Sequence, residues 1–472
     1  MSTHSNRPEI LKAVLIGIQL PQTNNQELES SLQELTRLVT TLGYQVIGQV
    51  TQRRDSEKNA TLLGDGKLQE LATWTGGTGK VASMVEHKKS KAALKWEADA
   101  LSDAENSEVE DPTDSPLENP IVTPKKKAKI VIVDCDLSPS QLRNLESATG
   151  VSVLDRTGVI IEIFSRHAKT KAARLQVEIA RLTYVAPRLR ETGGGADRGG
   201  GGVGGKGSGE TSLELDRRKI RDRIKELKAE LGAIGNEHQI RRARREQEIS
   251  VALVGYTNAG KSSLMRAMTG SEVLIADKLF ATLDTTIRPL YPETRPKVLL
   301  SDTVGFIKKL PHDLVASFRS TLDEALHASL LLFVVDASDP SFRSQLEVTK
   351  TVLAEVGATE VPHLLILNKR DRLPETEVSD LRKEFPEAVM LSTRDKEDLR
   401  MLRDQIMAFF EENMKDQDVF IPFTAQGIIG EIRARMRVLS ESYDEKGVTL
   451  KVRATEENLA HIQKKIGQQR YE

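Results

Sequence analysis

A single cysteine, Cys135, stands in 472 residues, so no internal disulfide can form and a reducing compartment is expected. Cys135 lies beside an apolar strand pattern, which suits a packed small residue better than a nucleophile. Long hydrophobic runs are missing as well. No apolar stretch approaches the roughly 18 residues that a membrane-spanning helix needs, and the polar start Met1 to Pro8 does not read as a signal peptide. Net charge is nearly absent: 68 Lys and Arg against 69 Asp and Glu leave −1. The sum says little, because the charges are segregated along the chain. A chain of this length is expected to hold roughly two to four domains. A cytoplasmic monomer without a membrane span, at most loosely membrane-associated, is the expected state.

Gly255-Tyr256-Thr257-Asn258-Ala259-Gly260-Lys261-Ser262 is a complete phosphate-loop pattern. Ser250 to Val254 is a short β-branched run that predicts a buried strand before it. Leu264, Met265 and Met268 predict an amphipathic helix after it. A glycine-rich turn can match such a pattern by chance, but that strand and helix argue against chance. Glycines let the backbone close around phosphate oxygens so that successive N–H groups face the anion, and the helix N-terminus adds partial positive charge. Lys261 is the candidate to reach the β- and γ-phosphates, and the Ser262 hydroxyl to hold Mg²⁺.

Two further signatures follow in order. Lys297 to Ser301 predicts a buried strand delivering Asp302-Thr303-Val304-Gly305 to its carboxyl end, where α/β sheets place ligand groups. Asp302 there can act on Mg²⁺ through water, and the Gly305 backbone can approach a γ-phosphate. His363 to Leu367 predicts a third strand, delivering Asn368-Lys369-Arg370-Asp371. A carboxylate at 371 can accept from both N1–H and the exocyclic amine of guanine. Adenine offers no such pair of donors, so a buried charge would be left unpaired. The chemistry indicated is GTP hydrolysis, with GTP as substrate and Mg²⁺ as cofactor.

Segregated charge marks the domain boundaries. Residues 1–80 alternate apolar strands, Ala13 to Ile18 and Gln45 to Val50, with a helix carrying Leu28, Leu32, Leu35 and Leu38. From about 85 to 127 the pattern stops: nine carboxylates fall between Glu97 and Glu118, with Pro112, Pro116, Pro120 and Pro124 among and after them. That composition cannot bury a core and predicts a disordered acidic insertion, either a plain surface insertion or a decoy for a basic partner. Strands resume at Ile130 to Val133 and Val151 to Leu154.

Ala168, Ala172, Leu175, Ile179 and Leu182 share one helix face, and Leu213, Ile220, Ile224, Leu227, Leu231 and Ile234 keep the same rhythm. Two such stripes predict an antiparallel helical pair. Between them lies a segment dominated by glycine, Gly193 to Gly209, which also carries Arg198 and Lys206. It is either a plain flexible linker or a probe for a crowded RNA surface. From Asp216 to Arg245 there are eleven Lys and Arg against five Asp and Glu, Arg217, Arg218, Arg241, Arg242, Arg244 and Arg245 among them. That density fits a phosphate-backbone footprint; aromatic interleaving is scarce, so shape-based contact with folded RNA suits it better than base stacking.

Three segments resemble the HflX family of ribosome-associated GTPases: Gly255 to Ser262, Leu279-Phe280-Ala281-Thr282-Leu283-Asp284, and Asp302 to Phe306-Ile307. The likeness extends upstream to Leu175 to Glu178, Pro187-Arg188-Leu189, Gly209-Glu210-Thr211 and Leu215-Asp216-Arg217-Arg218. The resemblance implies a GTPase that binds the large ribosomal subunit, splits or rescues stalled or idle ribosomes, and brings its helical domain near the peptidyl-transferase region. It implies that Phe280 to Asp284 form part of the nucleotide site, with the Thr282 hydroxyl completing Mg²⁺ coordination. Lys261, Thr282 and Gly305 are then the catalytic candidates. Phe306 replaces the water-orienting glutamine of many small GTPases, which implies slow intrinsic hydrolysis raised by a partner. Ser392, Thr393 and Arg394 fall where the family carries its last base-binding element. The sequence departs from the family at Thr285-Thr286, at Thr393, and in the glycine segment, where the usual Arg and Pro are missing.

The fold expected is a multi-domain α/β protein. An N-terminal α/β domain (1–160) precedes a basic helical hairpin (161–248) with its glycine-rich tip at 193–209. A doubly wound P-loop GTPase domain (249–415) follows, and a small α+β C-terminal appendage (416–472) closes the chain. The rival function is a GTP-switched regulatory module acting on a protein partner without RNA.

Overall fold

The computed structural model describes residues 11–81, 127–189, 212–243, 249–270, 279–280, 285–309, 324–412, 414–425 and 427–469. The acidic insertion apart from Lys127, the glycine-rich tip with Arg198 and Lys206, the cations Arg244 and Arg245, and Ala281 to Asp284 lie outside those residues. The chain divides into two units, Met1–Ile160 and Ile161–Glu472.

In the first unit, β1 (Lys12–Gln19), α1 (Asn25–Thr41), β2 (Gln45–Arg53), α2 (Asp65–Thr75), β3 (Ile130–Val133), α3 (Pro139–Thr149) and β4 (Ser152–Asp155) succeed one another. The sheet runs β2-β1-β3-β4, every pair parallel. Strands covered on both faces are apolar without alternation, as Ala13 to Ile16 and Ile130 to Val133 are, all buried. α1 begins where the Asn24 side chain accepts the Glu27 N–H at 2.7 Å while the Glu27 carboxylate accepts from the Asn24 N–H, a reciprocal cap. Its Leu32, Leu35 and Leu38 are buried, as their spacing predicts. The core also holds Cys135, packed among Val131, Val133 and Leu145. A charged cluster lies deep inside: Arg156, 1% exposed, pairs with the buried Asp134 at 2.7 Å and with Glu34.

Arg156 opens α4 (Arg156–His167), which runs across residue 160. The periodicity had placed Ala168 on a helix face; instead it lies in the break before α5 (Lys171–Val185), which the Thr170 hydroxyl caps by accepting the Ala173 N–H at 3.2 Å. α6 (Ser212–Ala243) packs on α5 through Leu175, Ile179 and Leu227, joined by Leu182, Ile224, Leu231 and Ile234. Lys171 pairs with Glu230, and Glu178 with Arg223. Moving forward along α5 thus means moving backward along α6, so the two helices are antiparallel.

The remaining sheet is built on β5 (Ile249–Val254), followed by α7 (Lys261–Thr269), β6 (Thr286–Pro289), β7 (Val298–Asp302), β8 (Leu330–Asp336), α8 (Phe342–Val356) and β9 (His363–Asn368). Then come α9 (Glu375–Glu384), β10 (Val389–Met390) and α10 (Lys396–Glu411). The order is β10-β9-β8-β5-β7-β6, parallel except for β6, which is antiparallel on β7. Strand order reverses at β5, and the carboxyl ends around such a reversal are where an open α/β sheet receives ligands. Downstream, β11 (Lys415–Pro422), α11 (Gly427–Arg435), β12 (Arg437–Asp444), β13 (Gly447–Ala454) and α12 (Glu456–Gln469) form an antiparallel β11-β13-β12 sheet with its own core. Residue 415, placed by the sequence in the preceding domain, is the first residue of β11. No helix among the described residues is long and apolar enough to cross a membrane.

Candidate active site

The loop leaving β5 makes two turns that require glycine. At Gly255, φ is +147° and a Cβ would lie 2.2 Å from the Val334 carbonyl oxygen; at Gly260, φ is +100° and a Cβ would lie 2.2 Å from Asn368 Nδ2. Between them, Asn258 takes a left-handed φ of 62°, which its short polar side chain tolerates better than most. The loop turns into α7 with Lys261 folded back beneath it. Lys261 Nζ donates to the Gly255 and Tyr256 carbonyls at 3.0 and 2.8 Å. Burial of this ammonium lowers its pKa from 10.5 to about 8, against an opposing pull from Asp302.

Asp302 ends β7 fully buried, and its Oδ2 accepts from the Ser262 hydroxyl at 2.7 Å. Thr303 Oγ1 donates to the Leu253 carbonyl at 2.7 Å, holding this strand end beside β5. The next residues are stitched to the phosphate loop. Thr257 N–H donates to the Phe306 carbonyl at 2.8 Å, Phe306 N–H donates to the Gly255 carbonyl at 3.1 Å, and the Tyr256 hydroxyl accepts the Lys308 N–H at 2.6 Å. Gly305 is confined there: a Cβ would come within 2.9 Å of Lys261 Nζ and Thr257 Cα. The Phe306 side chain is 2% exposed and carries no group able to orient water.

Asn368 and Lys369 reach the same loop from β9. Asn368 Nδ2 donates to the Ala259 carbonyl at 2.9 Å, and Lys369 Nζ donates to the Asn258 carbonyl at 2.9 Å and pairs with Asp336 at 2.6 Å. Asp336 was missed in the sequence, although it ends the apolar run of β8 as Asp302 ends that of β7. Asp371 accepts from the Ser392 hydroxyl at 2.7 Å and lies 3.4 Å from Arg394. The Ser392 bond, with a smaller contribution from Arg394, holds its carboxyl below the usual carboxylate range. Thr393 and Arg394 also line an open cleft of about 470 Å³ with Ser263, Arg266 and Gly270.

The structure thus brings Gly255 to Ser262, Asp302 to Phe306, Asn368 to Asp371 and Ser392 to Arg394 to one end of one sheet. Of the segment carrying Thr282, Phe280 is described: it is buried, with its ring edge-on to Phe164 at 4.6 Å. The donors suit a small hard cation. Ser262 and Asp302 offer oxygen ligands, which Mg²⁺ takes one or two at a time beside phosphate and water. The Thr257 hydroxyl, buried with no hydrogen-bond partner among the described residues, is a donor that suits a phosphate oxygen, whereas the equally unsatisfied Asn368 Oδ1 can only accept.

The basic residues are not gathered in the same way. Arg217 and Arg218 are exposed at the start of α6, while Arg241 and Arg242 lie on its last turn, about 36 Å away at the rise of an α-helix. Lys219, Arg221, Arg223, Lys225 and Lys228, between them, are exposed as well, so the basic residues are spread along the helix. Along the helix between them, Lys219 pairs with Asp216, and Arg223 with Glu178 and Glu226.

A largely parallel sheet whose central strand β5 runs into a glycine-turned loop and a helix is the architecture of a P-loop GTPase domain. Family comparison agrees: residues 250–369 match a profile described as "50S ribosome-binding GTPase", 167–245 one described as "GTP-binding GTPase Middle Region", and 29–92 with 119–165 one described as "GTP-binding GTPase N-terminal". The chain is similar to GTPase HflX of Gluconacetobacter diazotrophicus, 56% identical over 460 residues covering 98% of this chain and 99% of that one. It is similar also to GTPase HflX of Escherichia coli, 37% identical over 78% of this chain and 74% of that one. The chain belongs to the HflX family and is a GTP-hydrolysing enzyme.

Proposed function

We propose that this enzyme couples GTP hydrolysis to engagement of the large ribosomal subunit, and that it splits or rescues stalled or idle ribosomes as a cytoplasmic monomer. The match of 250–369 to a 50S ribosome-binding GTPase profile supports a ribosomal partner. The observation that carries the nucleotide chemistry is the buried Lys261, held beneath a loop whose backbone closes on Phe306. In this assignment Lys261 and the N–H groups of Asn258 to Ser262 hold the β- and γ-phosphates. Lys369 braces the loop, and Asp371 reads the guanine edge while Ser392 to Arg394 close over the base. Ser262 and Thr282 would hold Mg²⁺ directly, with Asp302 acting through water; when bound, the ion supplies charge neutralisation on the phosphate oxygens. Gly305 leaves room for the γ-phosphate, and Phe280 to Asp284 are assigned to the same nucleotide site.

Phe306 cannot act as a base, so the protein alone turns over slowly and a partner or an ordered loop completes the site. The exposed cations of α6 supply phosphate-backbone contacts, with Arg198, Lys206, Arg244 and Arg245 assigned to the same surface. The test is GTP turnover with and without large ribosomal subunits at two salt concentrations. Strong stimulation that weakens with salt is expected. Absence of stimulation with nucleotide binding intact would refute the ribosomal reading in favour of a protein-partner switch.

A further inference from the structure

Asp371 and Ser392 sit on different chain segments, which leave the neighbouring strands β9 and β10. Backbone bonds join the bases of these segments: Arg370 N–H donates to the Leu391 carbonyl at 3.2 Å, and Leu391 N–H to the Leu367 carbonyl at 3.0 Å. Beyond those bonds, side chains take over. Asp398, on the first turn of α10 and 2% exposed, accepts the Ser392 N–H through Oδ2 at 2.8 Å. That same oxygen lies 3.2 Å from Arg370 Nη2, and the nitrogen lies 3.3 Å from Asp395 Oδ2. Asp395 in turn caps α10 by accepting the Glu397 N–H at 2.9 Å. The Arg370 guanidinium is therefore directed at the start of α10.

We propose that Arg370 and Asp398 are positioning residues for base recognition: paired across the two segments, they set Ser392 so that its hydroxyl fixes the Asp371 carboxylate. A carboxylate free to rotate meets the two guanine donors in many orientations, and a hydroxyl bound to one oxygen at 2.7 Å removes that freedom. The geometry makes the dependence sequential. Arg370 neutralises Asp398, Asp398 holds the Ser392 backbone, and Ser392 orients Asp371. Loss of Arg370 leaves a buried carboxylate without its cation, and loss of the Asp398 charge leaves Arg370 tied to Asp395 alone. Neither residue was singled out for this role in the sequence. Asp398 reads as an ordinary acidic residue of a helix's first turn, and Arg370 reads as part of the base-binding run.

The proposal rests on Asp371 reading the base, so its test carries a control for that assignment. Dissociation constants of GDP and IDP, which differ only in the 2-amino group, are measured for the full chain and for Arg370→Leu, Asp398→Asn and the double variant. GDP binding weakens about three- to tenfold in each single variant, the size of one hydrogen bond. IDP binding weakens less, so the preference for GDP narrows. The double variant resembles the singles rather than their product. A variant that merely loosened the fold would reduce binding-competent protein and scale both nucleotides alike. In the control, Asp371→Asn shifts preference from GDP toward XDP. If the control responds while both single variants keep the native GDP-to-IDP ratio, the positioning role is overturned and base reading by Asp371 stands. If the control keeps its preference for GDP over XDP, base reading falls and the proposal falls with it.

Discussion

Nucleotide binding should take up a proton at mildly alkaline pH, through Lys261. In the free protein burial lowers this lysine's pKa from 10.5 to about 8. A phosphate brought to Nζ favours the ammonium and raises that value again. At pH 7 the free lysine is already charged, and binding takes up only about 0.1 proton; at pH 8.5 most of it is neutral, and uptake rises to about 0.8 proton. Calorimetric titration with GDP in two buffers of different ionisation enthalpy reads this number directly. The chosen pH stays below the range in which guanine itself ionises. The same residue makes stability depend on pH. Its folded pKa lies below its unfolded one, so the cost of burying the charge is complete below pH 8. That cost is relieved as pH rises from 8 toward 10.5, a span worth about 3 kcal/mol at most. Buffer-independent binding enthalpies at pH 8.5 would show that Lys261 keeps its proton in the free protein and would refute the argument.

Other expectations follow from single contacts. Gly260→Ala drives a methyl group to 2.2 Å from Asn368 Nδ2 at a φ of +100°; it costs about 2 kcal/mol or more, and titration with GDP should show binding lost while the circular dichroism spectrum persists. Arg156→Met strands Asp134 and Glu34, both pairing with it; about 3–5 kcal/mol is lost from the N-terminal unit, visible as a lower urea midpoint, and Arg156→Met combined with Asp134→Leu and Glu34→Leu should recover most of it. Leu227 is the buried α6 residue facing Leu175 and Ile179, so Leu227→Ala costs about 2–5 kcal/mol in the hairpin. By contrast, Arg223→Ala removes only exposed ion pairs and should leave hydrogen exchange across α5 and α6 unchanged.

Much of the GTPase site is legible in the chain because each motif carries its own local geometry. Glycines at 255 and 260 mark where the backbone must turn left-handed or pass another carbonyl. Apolar runs mark the strands, and Asp302 and Asn368 follow from where those runs stop. The break at Ala168 was not legible, because a small residue keeps the periodicity whether it lies on a helix or between two, and only the Thr170 cap separates the cases. Asp398 was not legible either: it is an ordinary carboxylate of a helix's first turn and acquires a role only when Arg370 arrives from another segment. Asp336 was passed over, although it ends the apolar run of β8 as Asp302 ends that of β7.

Sequence alone set out the candidate chemistry: a phosphate-loop pattern, a serine and an aspartate whose oxygens suit Mg²⁺, and a carboxylate able to accept from guanine, each carried on a loop or helix start that follows an apolar strand run. Tertiary structure decided what those groups do for one another. Register within the sheet lets Phe306 close on the phosphate loop, and packing of Leu175 and Ile179 against Leu227 joins α5 and α6 in their antiparallel course. The basic residues of α6 are spread along its length because a helix adds about 1.5 Å with every residue. Spacing along a chain reports which faces are shared, whereas contact between distant segments depends on packing that no local pattern encodes.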